Sequence, residues 1–282
     1  MESKGINVNS RAKILRFFSF LYRPDPRQPW EPRGGGTKTG IFLRSLFVAL
    51  LIALFVWGVF TELAENYSFN WRLMWKYLPD FFEGFQVTLK ISLVSLVCSL
   101  LLGLVVGLGR ISRRVLFSDL SLVYVETIRN IPLLVIILLM YFGFGSVFPM
   151  SRFVAGVLAL TIFQSAYIAE IIRGGIESVE KGQIWAARSL GVTERSTMRY
   201  IILPQVIRRI TPSIAGQIIY LIQGSSLCSV ISLAELTLTA RRILTVTYAS
   251  MESYITLMVF YFVICFLLSM GTKLLESRIA AG

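Results

Sequence analysis

The sequence predicts an all-α membrane protein with about six transmembrane helices and both termini in the cytoplasm. Two composition values point there first: 55% of the 282 residues are apolar and only 16% are charged, against about 45–50% and about 25% in an ordinary soluble domain. The third observation is patterning. Six stretches of roughly 20 residues are nearly free of charge, each long enough to cross a hydrocarbon core of about 30 Å as a helix.

Residues 1–40 form a basic leader, expected to stay on the chain because it is too long, and the apolar run behind it too extended, for a cleaved signal. Within it, RAKILRFFSFLYR (Arg11 to Arg23) sets Ile14, Leu15, Phe18, Leu21 and Tyr22 on one helical face with basic residues largely opposite. Such a helix can lie on the inner leaflet, the plain alternative being an unstructured segment. PDPRQPWEPRGGG then reads as a tether. The expected spans are Ile41–Phe60, Gln86–Gly109, Leu122–Gly145, Phe153–Ile172, Ile210–Ala234 and Tyr254–Thr272, the last two without any charge. Pro132 is expected to kink the third. With the N-terminus inside, 22 of the 28 Lys and Arg fall on the inner side and 6 on the outer side or outer span ends, which sets the orientation.

Much enzyme chemistry is excluded. The chain has no histidine, so imidazole ligands and Ser-His or Cys-His pairs are unavailable. Cys98, Cys228 and Cys265 lie far apart in apolar runs and read as buried, inert thiols. No metal site and no catalytic residue is expected. GGGTKTG (Gly34 to Gly40) superficially resembles a phosphate loop, but the residue six before Lys38 is Pro32 rather than glycine. The net charge of +12, in so apolar a chain, fits an anionic membrane surface better than nucleic acid. Glu126 with Arg129, and Glu170 with Arg173, are spaced to meet on one helix face near the inner side. Nothing charged is expected near mid-membrane, which weighs against an ion-coupled transporter.

Between the fourth and fifth spans, Ile176–Arg209 carries helical pattern. Gln183, Ala186, Ala187 and Leu190 share one face of a short helix, Gly191 follows as its stop, and Thr193 can cap a second helical stretch that runs to Ile201, Leu203 and Pro204. A small-residue face rimmed by Lys181, Arg188, Arg195 and Arg199 suits a docking knob. It equally suits an amphipathic helix lying on the protein's own inner face, and pattern alone leaves both open.

The spacing Ala186, Ala187, Gly191, Ile201, Leu203, Pro204 resembles the EAA loop of ABC importer permeases. SAYIAEIIRGGIESVEKGQ (Ser165 to Gln183), YVETIRNIPLLVIILLMYFGFG (Tyr124 to Gly145), and LPQVIRRITP with SSLCSVISLAELT (between Leu203 and Thr237) extend the similarity to the polar amino acid branch. It covers a core of about 84–275, with the leader and a first helix at 41–61 outside it. The resemblance implies a type I importer permease fold in a bacterial cytoplasmic (inner) membrane. It also implies an amino acid substrate and, as partners, two copies of an ABC ATPase that hold the ATP and magnesium, a second permease, an extracytoplasmic binding protein and membrane lipid. This chain itself would need no cofactor. Gln183, Trp185, Ala186, Ala187, Leu190, Gly191, Leu203 and Pro204 would form the ATPase-docking surface.

Two positions depart from the family pattern. The glutamate that names the motif is replaced by Trp185, and Gln223-Gly224 stand where relatives commonly carry Lys and an acidic or small residue. The first departure makes a heterodimer with a glutamate-bearing permease the preferred assembly over a homodimer. Polar residues facing the pore must replace the water stripped from a zwitterion; candidates are Gln164, Ser165, Tyr167, Gln223, Ser225 and Ser226, the alternative for each being interhelical packing. The rival readings are an ion-coupled secondary transporter and a non-transporting assembly subunit.

Overall fold

The computed structural model describes residues 38–281; the expected leader, its Arg11–Arg23 helix, the tether and most of the glycine-rich segment lie outside the described residues. The described residues divide into two units at the boundary between Ser68 and Phe69. In the first, α1 (Lys38–Asn66) is one 29-residue helix. Its apolar stretch Leu46–Gly58 exposes side chains all round, from Leu46 to Trp57, as a lipid-facing helix does.

The second unit is wholly helical in its regular structure: α2 (Trp71–Arg110), α3 (Val115–Arg129), α4 (Leu133–Leu138), a π-helical turn (Leu139–Phe144), α5 (Gly145–Val147), α6 (Arg152–Glu177), α7 (Lys181–Ser189), α8 (Glu194–Thr197), a π turn (Met198–Ile202), α9 (Leu203–Ser225), a 3₁₀ turn (Ser226–Ile231), α10 (Leu236–Thr247) and α11 (Ser250–Ala281). Among the described residues four helices are long and apolar enough to cross a membrane, or five if the bent pair α3 and α4–α5 counts as one.

Leu122–Gly145 was expected as one kinked span, yet the two arms meet at 103°. Pro132 takes φ −59° and ψ 137° and becomes the N-cap of α4, while its ring disfavours helical backbone at Ile131 and removes one N–H. The second span also starts earlier than expected, because α2 is continuous through Pro79 from Trp71.

The central helix is α6, capped by Ser151, whose Oγ accepts from the Val154 N–H at 3.2 Å. It is small-faced: Ala155, Ala159, Ala166 and Ala169 are fully buried. This lets α2 come close. A Cβ on Gly103 would lie 2.7 Å from Ile168 Cγ2, and one on Gly107 3.1 Å from the Ala169 carbonyl oxygen, so the helices meet through glycine as small-residue membrane interfaces do. The apolar core on this side gathers Ile91, Ile137, Leu160, Leu221 and Ile231. A second cluster, around Phe81, Ile222 and Leu236, joins α2, α9 and α10 to Ile264 of α11.

The thiols divide: Cys228 is buried, Cys265 half-buried and Cys98 exposed. The apolar run around Cys98 coats the outside of α2, where Val94, Val97 and Leu101 are also exposed, rather than its packed face.

Candidate translocation cavity and docking loop

The break between α3 and α4 opens a cavity. It has a volume of about 660 Å³ and lies among Arg129, Asn130 and Pro132 at the break, Phe163 and Tyr167 on α6, and Tyr220, Gln223, Gly224 and Ser226 around the end of α9. Of the six residues expected along a substrate path, Tyr167, Gln223 and Ser226 meet here. The other three are engaged in packing. Gln164 donates from Nε2 to Gln217 Oε1 at 2.7 Å and to the Gln217 carbonyl at 3.1 Å, tying α6 to α9. Ser165 Oγ lies 2.7 Å from the Tyr124 hydroxyl and donates to the Ile162 carbonyl, and Ser225, fully buried, donates to the Ile222 carbonyl. Gln164 and Ser165 tie α6 to α9 and α3, whereas the Ser225 bond closes within α9.

Arg129, Asn130 and Tyr220 were not among the expected residues. Arg129 had been paired with Glu126 by helix spacing, but its guanidinium turns to α6, lying 3.8 Å from Glu170 and 5.5 Å from the centre of the Tyr167 ring. The helix ends at Arg129, so the side chain is free of the i, i+3 geometry the spacing assumed. Glu170 also meets Arg110 at 3.7 Å and Arg173 through two hydrogen bonds, Nε to Oε2 at 3.0 Å and Nη2 to Oε1 at 2.5 Å, as expected for the second pair. Arg173 bonds Glu177 as well. Three guanidiniums share Glu170 and Glu177, so the cluster keeps a net positive charge, and Arg129 is the member that lines the cavity.

The segment after α6 folds as two short helices. In α7, Ile184 packs against Val179, Ile202 and Val206. Gly191 takes φ +75°, the left-handed conformation that ends a helix without Cβ strain, and the Val192 N–H closes back on the Ala187 carbonyl at 3.0 Å. Thr193 caps α8 by accepting from the Ser196 N–H at 3.3 Å. Of the four residues expected on one docking face, Gln183, Ala186 and Leu190 are exposed, whereas Ala187 is buried under the loop. Leu190 is 81% exposed and Trp185 63%, so two large apolar side chains stand free on a polar rim. Leu203 and Pro204 are exposed where the loop runs into α9, and Gln183 accepts from Gln205 Nε2 at 2.7 Å. Glu194 joins this loop to the α2–α3 turn, accepting from Arg113 at 2.7 Å and from Arg188 at 3.1 Å.

Residues 99–281 match the family model of the binding-protein-dependent transport system inner membrane component. The chain belongs to this family. It is therefore a membrane subunit of an ABC importer, a transporter permease rather than an enzyme. Among similar permeases, the probable glutamine ABC transporter permease protein GlnM of Bacillus subtilis (strain 168) is 43% identical over 161 residues, 57% of this chain and 74% of that protein. The glutamine transport system permease protein GlnP of Escherichia coli (strain K12) is 37% identical over 164 residues, 57% and 75% of the two chains. A solved structure described as an amino acid ABC transporter with histidines superposes with a TM-score of 0.71 at 40% identity, covering 75% of this chain and 100% of that one. The MetNI methionine ABC transporter superposes at 0.64 with 18% identity over 72% and 98%, which extends the likeness of fold alone. The permease fold expected from the sequence is the one observed.

Proposed function

We propose that this permease forms half of the pore of an ATP-driven amino acid importer in a bacterial inner membrane. The cavity at the α3–α4 break carries the reading. Its wall combines one guanidinium, Arg129, which shares Glu170 with two other arginines, with the amide and hydroxyl groups of Asn130, Tyr220, Gln223 and Ser226 and the rings of Phe163 and Tyr167. Such a set can take a carboxylate on Arg129 and satisfy a polar side chain on the amides, while the rings exclude water. The relatives named for glutamine transport support that chemistry.

Energy enters through the loop at 176–209. Trp185, Ala186 and Leu190 project from it to fill a groove on an ABC ATPase, one ATPase copy per permease. ATP-driven closure of the ATPase pair moves the loop and biases the membrane helices between two arrangements. ATP and magnesium stay in that partner. An extracytoplasmic binding protein delivers the substrate, and the second permease is a different chain that keeps the glutamate this one replaces with Trp185.

The test is co-expression with the neighbouring ATPase, permease and binding protein, reconstitution in liposomes, and ATP-dependent uptake measured with a panel of labelled amino acids. Uptake that needs ATP and the binding protein supports the reading. Uptake by this chain alone, abolished by collapsing an ion gradient and indifferent to ATP, would replace it with an ion-coupled secondary transporter; assembly without any transport would leave a structural subunit.

A further inference from the structure

A second cavity, of about 280 Å³, opens between α2 and α10, and its wall holds Tyr77, Asp80, Glu83, Thr239, Arg242 and Val246. Asp80 and Glu83 share one face of α2, being three residues apart, and Arg242 comes from α10. All three are exposed, and among the described residues none of them takes part in an ion pair. Opposite charges therefore border one small cavity without neutralising each other.

The wall is held firmly. Glu235 caps α10, accepting from the N–H groups of Leu238 at 2.8 Å and Thr237 at 2.9 Å and from the Tyr261 hydroxyl at 3.1 Å. The Leu236 N–H donates to Thr88 Oγ1 of α2 at 3.2 Å. At Gly84 a Cβ would lie 2.6 Å from Thr239 Oγ1, so α10 sits on the backbone of α2 beside the cavity. The backbones that carry the three charges are thereby held together, which lowers the ordering cost of binding.

Its place on the molecule is informative. The far end of α2 reaches Glu170 through Arg110, and just beyond it Arg113 holds Glu194 of the docking loop. Glu83 lies about 40 Å from that end at a rise of 1.5 Å per residue, more than the thickness of a hydrocarbon core. The cavity thus lies toward the membrane face opposite the docking loop, the side on which an importer receives its substrate.

We propose that this cavity is an outer binding site for a small zwitterion carrying a free ammonium and a free carboxylate, with Asp80 and Glu83 receiving the ammonium and Arg242 the carboxylate. The proposal rests on the amino acid importer reading and adds to it a site distinct from the cavity at the α3–α4 break. A site that takes the ammonium on carboxylates and the carboxylate on a guanidinium uses both charges of the ligand, so a neutral or singly charged analogue binds more weakly.

The experiment uses the permease–ATPase complex in nanodiscs without binding protein, its native cysteines replaced and an environment-sensitive fluorophore placed on Val246→Cys, an exposed position of the wall. Glutamine is the probe. Saturable fluorescence change is expected, weakened with glutamine methyl ester and with N-acetylglutamine. Arg242→Gln, and Asp80→Asn with Glu83→Gln, each weaken the response by about tenfold or more, as loss of a charged hydrogen bond does, while Arg242→Lys restores part of it. Because exposed charges are being changed, the complexes remain assembled on gel filtration; variants that assemble and bind glutamine like the parent overturn the proposal. So does no response up to about 10 mM, the weak-binding limit of a useful site, from a complex that imports an amino acid with ATP when it is reconstituted in liposomes with its binding protein. If the liposome complex with its binding protein imports no amino acid, the importer reading itself falls, and this site with it.

Discussion

The guanidinium of Arg129 lies 5.5 Å from the centre of the Tyr167 ring, which joins the end of α3 to the middle of α6 across the wall of the larger cavity. The contact places a cation on an aromatic face at the cavity wall, and because Glu170 is shared with Arg110 and Arg173, its carboxylate does not neutralise Arg129 alone. Arg129→Gln is expected to raise the KM for uptake about tenfold with a smaller effect on kcat, the pattern of lost ground-state binding. Arg129→Lys, which keeps charge but not the planar fork, is expected to fall between. Initial uptake rates across substrate concentrations decide it; an unchanged KM in Arg129→Gln removes Arg129 from the substrate's path.

Close packing of α2 on α6 gives a second expectation. Gly103→Leu forces a side chain into space where the first added carbon already lies 2.7 Å from Ile168, and overpacking of this kind costs about 1–3 kcal/mol. Gly58, around which nothing lies within 4 Å, serves as the control. Thermal unfolding in detergent is expected to show a lower Tm for Gly103→Leu and little change for Gly58→Ala.

For the docking loop, two substitutions that pattern alone singles out act through the loop's own fold. Ala187→Glu places a charge in a buried position, and Gly191→Asp imposes a side chain at φ +75°; both are expected to block ATPase assembly or transport while membrane insertion persists. Leu190→Glu and Trp185→Ala alter side chains that touch solvent and leave the loop's core intact. They are expected to reduce ATPase co-purification at least severalfold without lowering Tm, since exposed substitutions change stability by only about 0.5 kcal/mol. Full ATPase recovery with both would dismiss this face as the docking surface.

Glu235, just past the end of α9 and its 3₁₀ turn, is fully buried. Burial pushes its carboxyl up to about 7, against the opposing pull of the Thr237 and Leu238 N–H groups and the Tyr261 and Thr237 hydroxyls. The folded protein therefore holds a proton that the unfolded chain releases at its lower pKa. The contribution of Glu235 to stability is highest below the unfolded value of 4.5 and falls as pH rises toward 7, levelling off above it. Glu235→Gln is expected to flatten that decline in Tm between pH 4 and about 8; an equal slope in the variant assigns the decline to other groups.

What could be read in the residue order was whatever depends on neighbours along the chain. Hydropathy over some 20 residues marks a membrane helix wherever the chain goes, so the long apolar helices were legible. Gly191 and Thr193 end and begin helices by local backbone chemistry, and both behave as their types require. Pro132 announced a break, but the 103° between its two arms depends on what each arm packs against. The cavity was beyond such reading. Gln164 and Gln217 are far apart in sequence and equally polar, and only the packing of α6 on α9 pairs them. Arg129 looked like the partner of Glu126 until α3 ended beneath it and Glu170 came within reach. Ala186 and Ala187 are identical in kind, yet a turn of 100° along one helix exposes the first and buries the second. Burial and polar pairing are settled between helices distant in sequence, so the tertiary structure alone assigned which polar groups line a cavity and which hold the bundle together.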